Sequence, residues 1–315
     1  MNNKTIITLN MKKLIIFIFI AAFMASCDKI DNPNQKPPIV YNCISPLTQI
    51  VKTNTATSNF RKVLLEDYTG HTCVNCPRAA ESAENLITRY KDSIVVIANH
   101  VSTTFAAPKT LNYKEDFRNP ASDDWDKVEN FGMSNAGLPK GMVNRQKPFA
   151  QNHTAWASLV PGALNQLQSV KLDLVSNYDI NSRYLTVKVK TTFKKAWINP
   201  VNLIVILTQD SIIGQQKDAT PPPGSITDPI DPTIRLNYQF DHIVIGSING
   251  SWGQLTKNSP SENDTLTIQN SCYLLNKCFT LTKDVCVNDK KVSVVAFAYD
   301  ITTKEVLQVE KLKIR

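Results

Sequence analysis

The sequence predicts an α/β unit followed by an all-β region, and three observations carry that prediction. The stretch Val63-Leu-Leu-Glu-Asp-Tyr-Thr-Gly-His-Thr-Cys-Val-Asn-Cys-Pro-Arg78 runs an apolar strand into a Cys-X-X-Cys turn and then into a helix. Ser93 to Ala98, with Ile-Val-Val-Ile at its centre, supplies a second apolar strand and completes a βαβ unit, expected to be parallel and right-handed. From Ser169 onward short strands follow one another without helical spacing, the pattern of an antiparallel β-sandwich of Ig-like outline.

The chain opens on an address. Lys12-Lys13, the apolar run Leu14 to Met24 and Ala25-Ser26-Cys27 read as a secretory signal ending in a lipobox, with translation free to begin at Met11. The run is short for a membrane span, and small residues ahead of a cysteine suit a peptidase that cuts before a lipidated Cys27; an uncleaved anchor is the alternative. Residues 1–26 are therefore set apart as signal. Their removal takes away Lys4, Lys12 and Lys13 and no acids, so the formal charge falls from +8 to +5. That balance, with no dense Lys/Arg run, argues against nucleic acid as a partner and leaves membrane attachment to the lipid. Residues 27–60, rich in Asp, Asn and Pro through Pro46, read as a tether, with Ile39-Val40-Tyr41 as a possible edge strand.

Between Cys76 and Tyr90 the apolar or small residues Ala79, Ala80, Ala83, Leu86, Ile87 and Tyr90 mark one helical face. Pro77 falls in the first turn, where an N–H has no helical partner. Asn112 to Phe117 and Asp123 to Phe131 suggest two short helices broken at Asn119-Pro120. Gly137-Leu-Pro-Lys-Gly-Met-Val-Asn-Arg145 places Pro139 just before a short apolar strand. After a strand, Cys-X-X-Cys, helix, strand unit, this is where thioredoxin-like folds hold a cis-proline. Thr154 to Leu167 would close a thioredoxin-like domain spanning residues 61–168, with Pro161 as a kink. In residues 169–315 the segments at 170–174 and 185–189 alternate wet and dry faces, while 203–207 and 292–299 read as buried on both. Residues 243–245, 265–268 and 306–314 add strands, and the Pro-rich stretch Lys217 to Arg235 reads as a long exposed loop.

With Cys27 set aside, six of the seven cysteines remain. An exported chain meets an oxidising compartment, so Cys73–Cys76 is expected as a disulfide, while Cys43, Cys272, Cys278 and Cys286 allow three connectivities. Free buried thiols are the bland alternative for those four. For the Cys-X-X-Cys pair the candidates are a redox couple, a permanent structural disulfide and half a zinc site, and the last lacks a second pair or histidines at ligand spacing. In the redox reading Cys73, ahead of the helix and expected to be the more exposed, is the nucleophile, and Cys76 resolves the mixed disulfide. Asp67, six residues before Cys73, matches the spacing of the buried proton-handling carboxylate of thioredoxins, with Glu66 the candidate if the register slips by one. His71 is either a thiolate-stabilising cation or a solvent-facing turn residue. The thioredoxin-type Trp is absent, Thr72 standing there. His100, His153 and His242 form no constellation, and no P-loop, dinucleotide fingerprint or nucleophile elbow appears, so no metal or cofactor is expected.

The lipobox, the Val63 to Pro77 stretch, the Gly137 to Arg145 stretch, Asn249-Gly-Ser-Trp-Gly253 and Ala298-Tyr-Asp-Ile-Thr-Thr-Lys-Glu-Val-Leu-Gln308 together resemble the outer-membrane protein 28-related lipoproteins. The resemblance implies a thioredoxin-like domain followed by a β-rich domain on a lipid-anchored outer-membrane protein. Tyr238 to Ile245 departs from the family pattern, where a second histidine and an arginine are expected. Asp28 after Cys27 would favour inner-membrane retention under the enteric sorting rule, a rule that lineages with this family do not follow. Two functions are thus open: thiol-disulfide exchange with exported proteins, as an oxidoreductase or isomerase, or a surface binding or adhesive lipoprotein whose disulfide is structural or vestigial.

Overall fold

The computed structural model of the protein describes residues 43–109 and 111–315. The expected signal, Cys27, the edge strand at 39–41 and the first part of the tether lie outside the described residues. Strand β1 (Gln49–Thr55) comes first, inside the stretch read as tether. Its residues are mostly exposed, so no burial period betrays it, and it is held by seven register pairs with β5 (Val170–Asp179) at a sheet edge.

The βαβ unit forms as the apolar runs require. Strand β2 (Val63–Thr69) and strand β3 (Ile94–His100) are buried at every position and pair in parallel from Val63↔Ile94 to Thr69↔His100. Helix α1 (Cys76–Tyr90) joins them, burying Cys76, Pro77, Ala79, Ala83 and Leu86 against the sheet. Strand β4 (Lys140–Val143) pairs antiparallel on the other side of β2, from Tyr68↔Lys140 to Leu65↔Val143, and helix α3 (His153–Leu164) packs beside α1. Helix α2 (Pro120–Asp126) corrects one expectation: Asn119-Pro120 begins a helix instead of breaking one, and residues 112–117 are not helical. The Asn119 side chain accepts from the N–H groups of Ala121 and Ser122, and Pro120 occupies the first turn, where its missing donor costs nothing.

The remaining strands are β6 (Tyr184–Phe193), β7 (Val201–Gln209), β8 (Ile212–Lys217), β9 (Ile234–Phe240), β10 (Ile243–Ser247), β11 (Gln254–Lys257), β12 (Thr265–Gln269), β13 (Tyr273–Leu274), β14 (Val292–Asp300) and β15 (Val306–Lys313). One sheet has the order β1-β5-β6-β12, with β13 also on β6. A larger one runs β15-β14-β7-β10-β3-β2-β4, with β11 also on β7. Alternating apolar residues of both sheets, among them Leu172, Val187, Val205 and Val294, meet in one buried core. The architecture is therefore rich in β-sheet, with two sheets enclosing the main core.

The larger sheet runs across the boundary expected between residues 168 and 169: β10 lies in parallel beside β3, with Ala98 donating to His242 O at 2.8 Å. The Lys217 to Arg235 stretch is not simply an exposed loop. Its ends are strands β8 and β9 of a hairpin, and Asp218 is fully enclosed. All six remaining cysteines pair, as Cys43–Cys272, Cys73–Cys76 and Cys278–Cys286.

Candidate thiol-disulfide site

Strand β2 delivers the chain to Gly70, where a side chain would collide with the Phe105 carbonyl, a Cβ falling 2.5 Å from its oxygen. The chain then turns, Cys73 donating to Gly70 O at 3.0 Å and Cys76 to Cys73 O at 3.3 Å, and α1 starts at Cys76. The Cys73–Cys76 disulfide, with Cα atoms 5.4 Å apart, thus sits at the helix N-terminus, where unpaired N–H groups and the positive dipole end favour a thiolate.

Exposure of Cys73 is not what the spacing led one to expect: Cys73 and Cys76 are 3% and 2% accessible. The cover comes from far along the chain. Lys217 N–H donates to His71 O at 2.7 Å and Ala219 N–H to Val74 O at 2.9 Å, so the end of β8 lies along the turn as an added strand would. The buried Gln216 amide donates to Cys73 O at 3.0 Å and to Lys217 O at 2.8 Å. Arg78, from the first turn of α1, grips the same segment through Asp218 Oδ1 at 2.7 Å and Thr220 O at 2.6 Å, and Arg235 of β9 reaches Asp218 from the other side at 3.4 Å. On the opposite flank Thr72 is tied to Phe105 O and Thr104 O.

The strand alternation decides between Glu66 and Asp67. Asp67 shares a sheet face with Val63 and Leu65, the face covered by α1, whereas Glu66 points the other way and makes a two-pronged ion pair with Arg145 at 2.7 and 2.9 Å, both side chains fully enclosed. Asp67 is 3% exposed and its Oδ1 has no hydrogen-bond partner among the described residues. Burial alone raises its pKa from 3.8 to about 7. It lines a cavity of about 40 Å³ together with Cys76, His100, Gln216 and Tyr238. It also floors a wider groove of about 370 Å³ that opens between α1 and β9 past Arg78, Glu81 and Tyr238.

His71 is neither solvent-facing nor a cation. It is fully buried, its Nε2 lies 3.1 Å from Ala107 O, its ring stacks on Tyr113, and burial lowers its pKa to about 4. Pro139 follows a cis bond from Leu138 and lies one residue beyond the Tyr68↔Lys140 pair, at the end of β2 that leads into the turn. His242 bridges elements, with Nε2 2.9 Å from Glu84 of α1 and Nδ1 2.9 Å from Asp210, and it stays outside the disulfide's immediate surroundings. Sequence reasoning missed His100. The parallel register was the available signal, because Asp67, Thr69, Ala98 and His100 fall on one face once β2 and β3 are paired.

Residues 128–315 match the family described as outer membrane protein Omp28. The chain belongs to the Omp28 family. Two stretches within the matched residues have clear structural roles. Asn144 and Arg145 both take positive φ (50° and 53°); Asn144 bonds Leu64 N–H at 2.8 Å, and the turn brings Arg145 to Glu66 among Trp125, Phe131, Phe297, Tyr299 and Trp252. Asn249 accepts from Val205 N–H and donates to Leu203 O, both at 2.8 Å, while Gly253 (φ +71°) passes so close to Leu203 that no side chain fits. Both are fastenings of the large sheet. The Omp28 match begins after Cys73 and Cys76, so family membership leaves the disulfide's chemistry to be argued from its own geometry.

No curated protein matches the sequence. Among solved structures, HBP35 of Porphyromonas gingivalis is similar, at 14% identity and a TM-score of 0.51 over 82% of this chain and 77% of that one, a likeness of fold. An Agrobacterium tumefaciens protein aligns at 12% identity and a TM-score of 0.47, over 82% of this chain and 97% of that one. A domain of the outer membrane lipoprotein Omp28 from Porphyromonas gingivalis aligns at 18% identity and a TM-score of 0.29, over 48% of this chain and 91% of that one.

Proposed function

We propose that this Omp28-family protein is an outer-membrane lipoprotein, anchored by a lipid on Cys27, that exchanges disulfides with exported or surface proteins through Cys73 and Cys76 in a thioredoxin-like frame. The observation that carries this reading is the pairing of a disulfide at a helix N-terminus with a buried, unpartnered carboxyl, Asp67, in a cavity behind Cys76. The order strand, turn, helix, parallel strand, then an antiparallel strand preceded by Pro139, supports the frame.

In the oxidising direction a substrate thiolate attacks Cys73 Sγ, the Cys73–Cys76 bond breaks and Cys76 leaves as a thiolate. The Asp67 carboxyl, whose pKa of about 7 keeps a proton at hand near neutrality, protonates it. A second substrate thiolate then attacks the substrate sulfur of the mixed disulfide and releases Cys73. Two electrons pass from the substrate dithiol to the cysteine pair, and an envelope disulfide of another protein or small molecule must take them for the cycle to repeat. Because both cysteines are covered, the β8–β9 hairpin has to lift from the turn before the first attack.

That same cover favours a second reading, in which the disulfide is static and the β-rich region binds a partner at the surface. The reduction potential of the Cys73/Cys76 pair separates them. A value between about −120 and −270 mV supports exchange, and one below about −300 mV marks a structural bond and defeats it.

A further inference from the structure

His100 ends β3 and is 1% exposed, its ring wedged edge-on against Phe117 and Phe240 at centroid distances of 4.9 and 5.5 Å. Neither ring nitrogen has a hydrogen-bond partner among the described residues. A neutral imidazole carries one N–H donor and one lone pair, and leaving both unmet in the interior is costly enough to ask what meets them. Aromatic packing alone would be served as well by phenylalanine.

The cavity beside His100 answers that question. It is lined by Asp67, whose Oδ1 is likewise unpartnered, by Cys76, and by Gln216 and Tyr238 of the covering hairpin. At about 40 Å³ it exceeds the roughly 10–15 Å³ a water needs, and it offers the two to four polar partners that hold one. We infer that His100 is a positioning residue that holds a water in this cavity between the Asp67 carboxyl and Cys76 Sγ, so that the proton moves between them during disulfide exchange.

The inference rests on the exchange reading and adds a residue to it. The surroundings of His100 fit a ring that stays neutral: burial lowers its pKa to about 3, Lys277 acts in the same direction and Asp116 in the other, and Asp67, whose pKa is about 7, faces it across the cavity largely protonated below neutrality. Tyr238 and Asp241 complete the polar surroundings from β9 and the turn after it. A neutral ring accepts from the water or donates to it and remains uncharged while the proton passes.

The test uses the whole chain, with dithiothreitol as the probe reductant. A high-resolution crystal structure is expected to show a water within hydrogen-bond reach of a His100 ring nitrogen and Asp67; a dry cavity overturns the inference. The rate of Cys73–Cys76 reduction against pH is expected to carry an inflection from Asp67 in the wild type. His100→Phe, which preserves the aromatic packing, should lose that inflection and slow reduction by about tenfold or more near neutrality, and His100→Asn should restore part of both. An unchanged rate and inflection in His100→Phe, with the inflection abolished by Asp67→Asn, would sink the role of His100 and leave the exchange reading standing. A wild-type disulfide that dithiothreitol cannot open in the folded protein removes the exchange reading, and this inference with it.

Discussion

Replacing Asp67 by Asn tests the electrostatics of the site without asking whether the protein turns over any substrate. Asp67 is 3% exposed with an unpartnered oxygen, and its pKa rises from 3.8 to about 7 on folding. Below the lower value both states are protonated and the carboxyl costs nothing extra. Between the two values the unfolded chain has lost the proton and the folded chain keeps it, so the folded state binds more protons and stability falls as pH rises. Above about 7 the loss is complete. At 1.36 kcal/mol per pH unit, the displacement is worth about 4 kcal/mol. Asparagine at this position does not titrate. The stability difference between variant and wild type should therefore shift in the variant's favour by about 4 kcal/mol between about pH 4 and about pH 8, whatever constant offset the amide introduces. Urea unfolding of both oxidised proteins across that range reads the change directly. A difference that stays flat with pH would refute a raised Asp67 pKa and with it the proton donor assigned to Cys76.

The cover over the disulfide and the pair beneath β2 make two further predictions. Asp218→Ala removes the carboxylate that Arg78 and Arg235 share, charge-assisted contacts worth about 1.5–3 kcal/mol, so the β8–β9 hairpin should open more often and dithiothreitol should reduce Cys73–Cys76 about tenfold to a hundredfold faster, as read by thiol alkylation. An unchanged rate would mean that the hairpin does not gate access. Arg145→Met strands Glu66 in the interior and should cost about 3–5 kcal/mol in urea unfolding, whereas Glu66→Leu combined with Arg145→Met should recover most of it, because a buried ion pair gains little over apolar side chains of similar size. Equal losses in the single and double variants would contradict that account.

The sequence made legible whatever burial imprints as a period. Strands β2, β3 and β14 are buried throughout and read as apolar runs, and α1 announces its buried face through Ala79, Ala83 and Leu86. Strand β1 was illegible because its stability lies in main-chain pairing with β5, and main-chain hydrogen bonds leave no trace in side-chain pattern. The start of α2 was misread for a related reason: Asn119-Pro120 is both a helix breaker and a helix beginning, and only the capping bonds to Ala121 and Ser122 tell which. At the site, Cys73, Cys76 and Asp67 could be named from spacing along one segment. The hairpin strand that covers them could not, since Gln216 and Lys217 stand more than a hundred residues away and meet the turn through carbonyl oxygens that every residue carries.

The fused sheet gives that long-range cover a structural cause. Strand β10 lies beside β3, and β9 ends three residues before it, so the hairpin is delivered to the edge of α1 by the same crossover that joins the later strands to the βαβ unit. Gln216 and Tyr238, which roof the cavity over Asp67, belong to the segment that matches Omp28, while Cys73, Cys76 and Asp67 precede it. The disulfide and its cover are thus supplied by stretches far apart in the chain. Cutting the chain near residue 168 would strip the cover from Cys73 and Cys76 and leave the β3 edge unpaired, an exposed apolar edge being a site for aggregation. Reactivity measured on such a fragment would describe a bare thiol pair; in the intact protein the cover is in place, fastened by the Arg78–Asp218 ion pair at 2.7 Å.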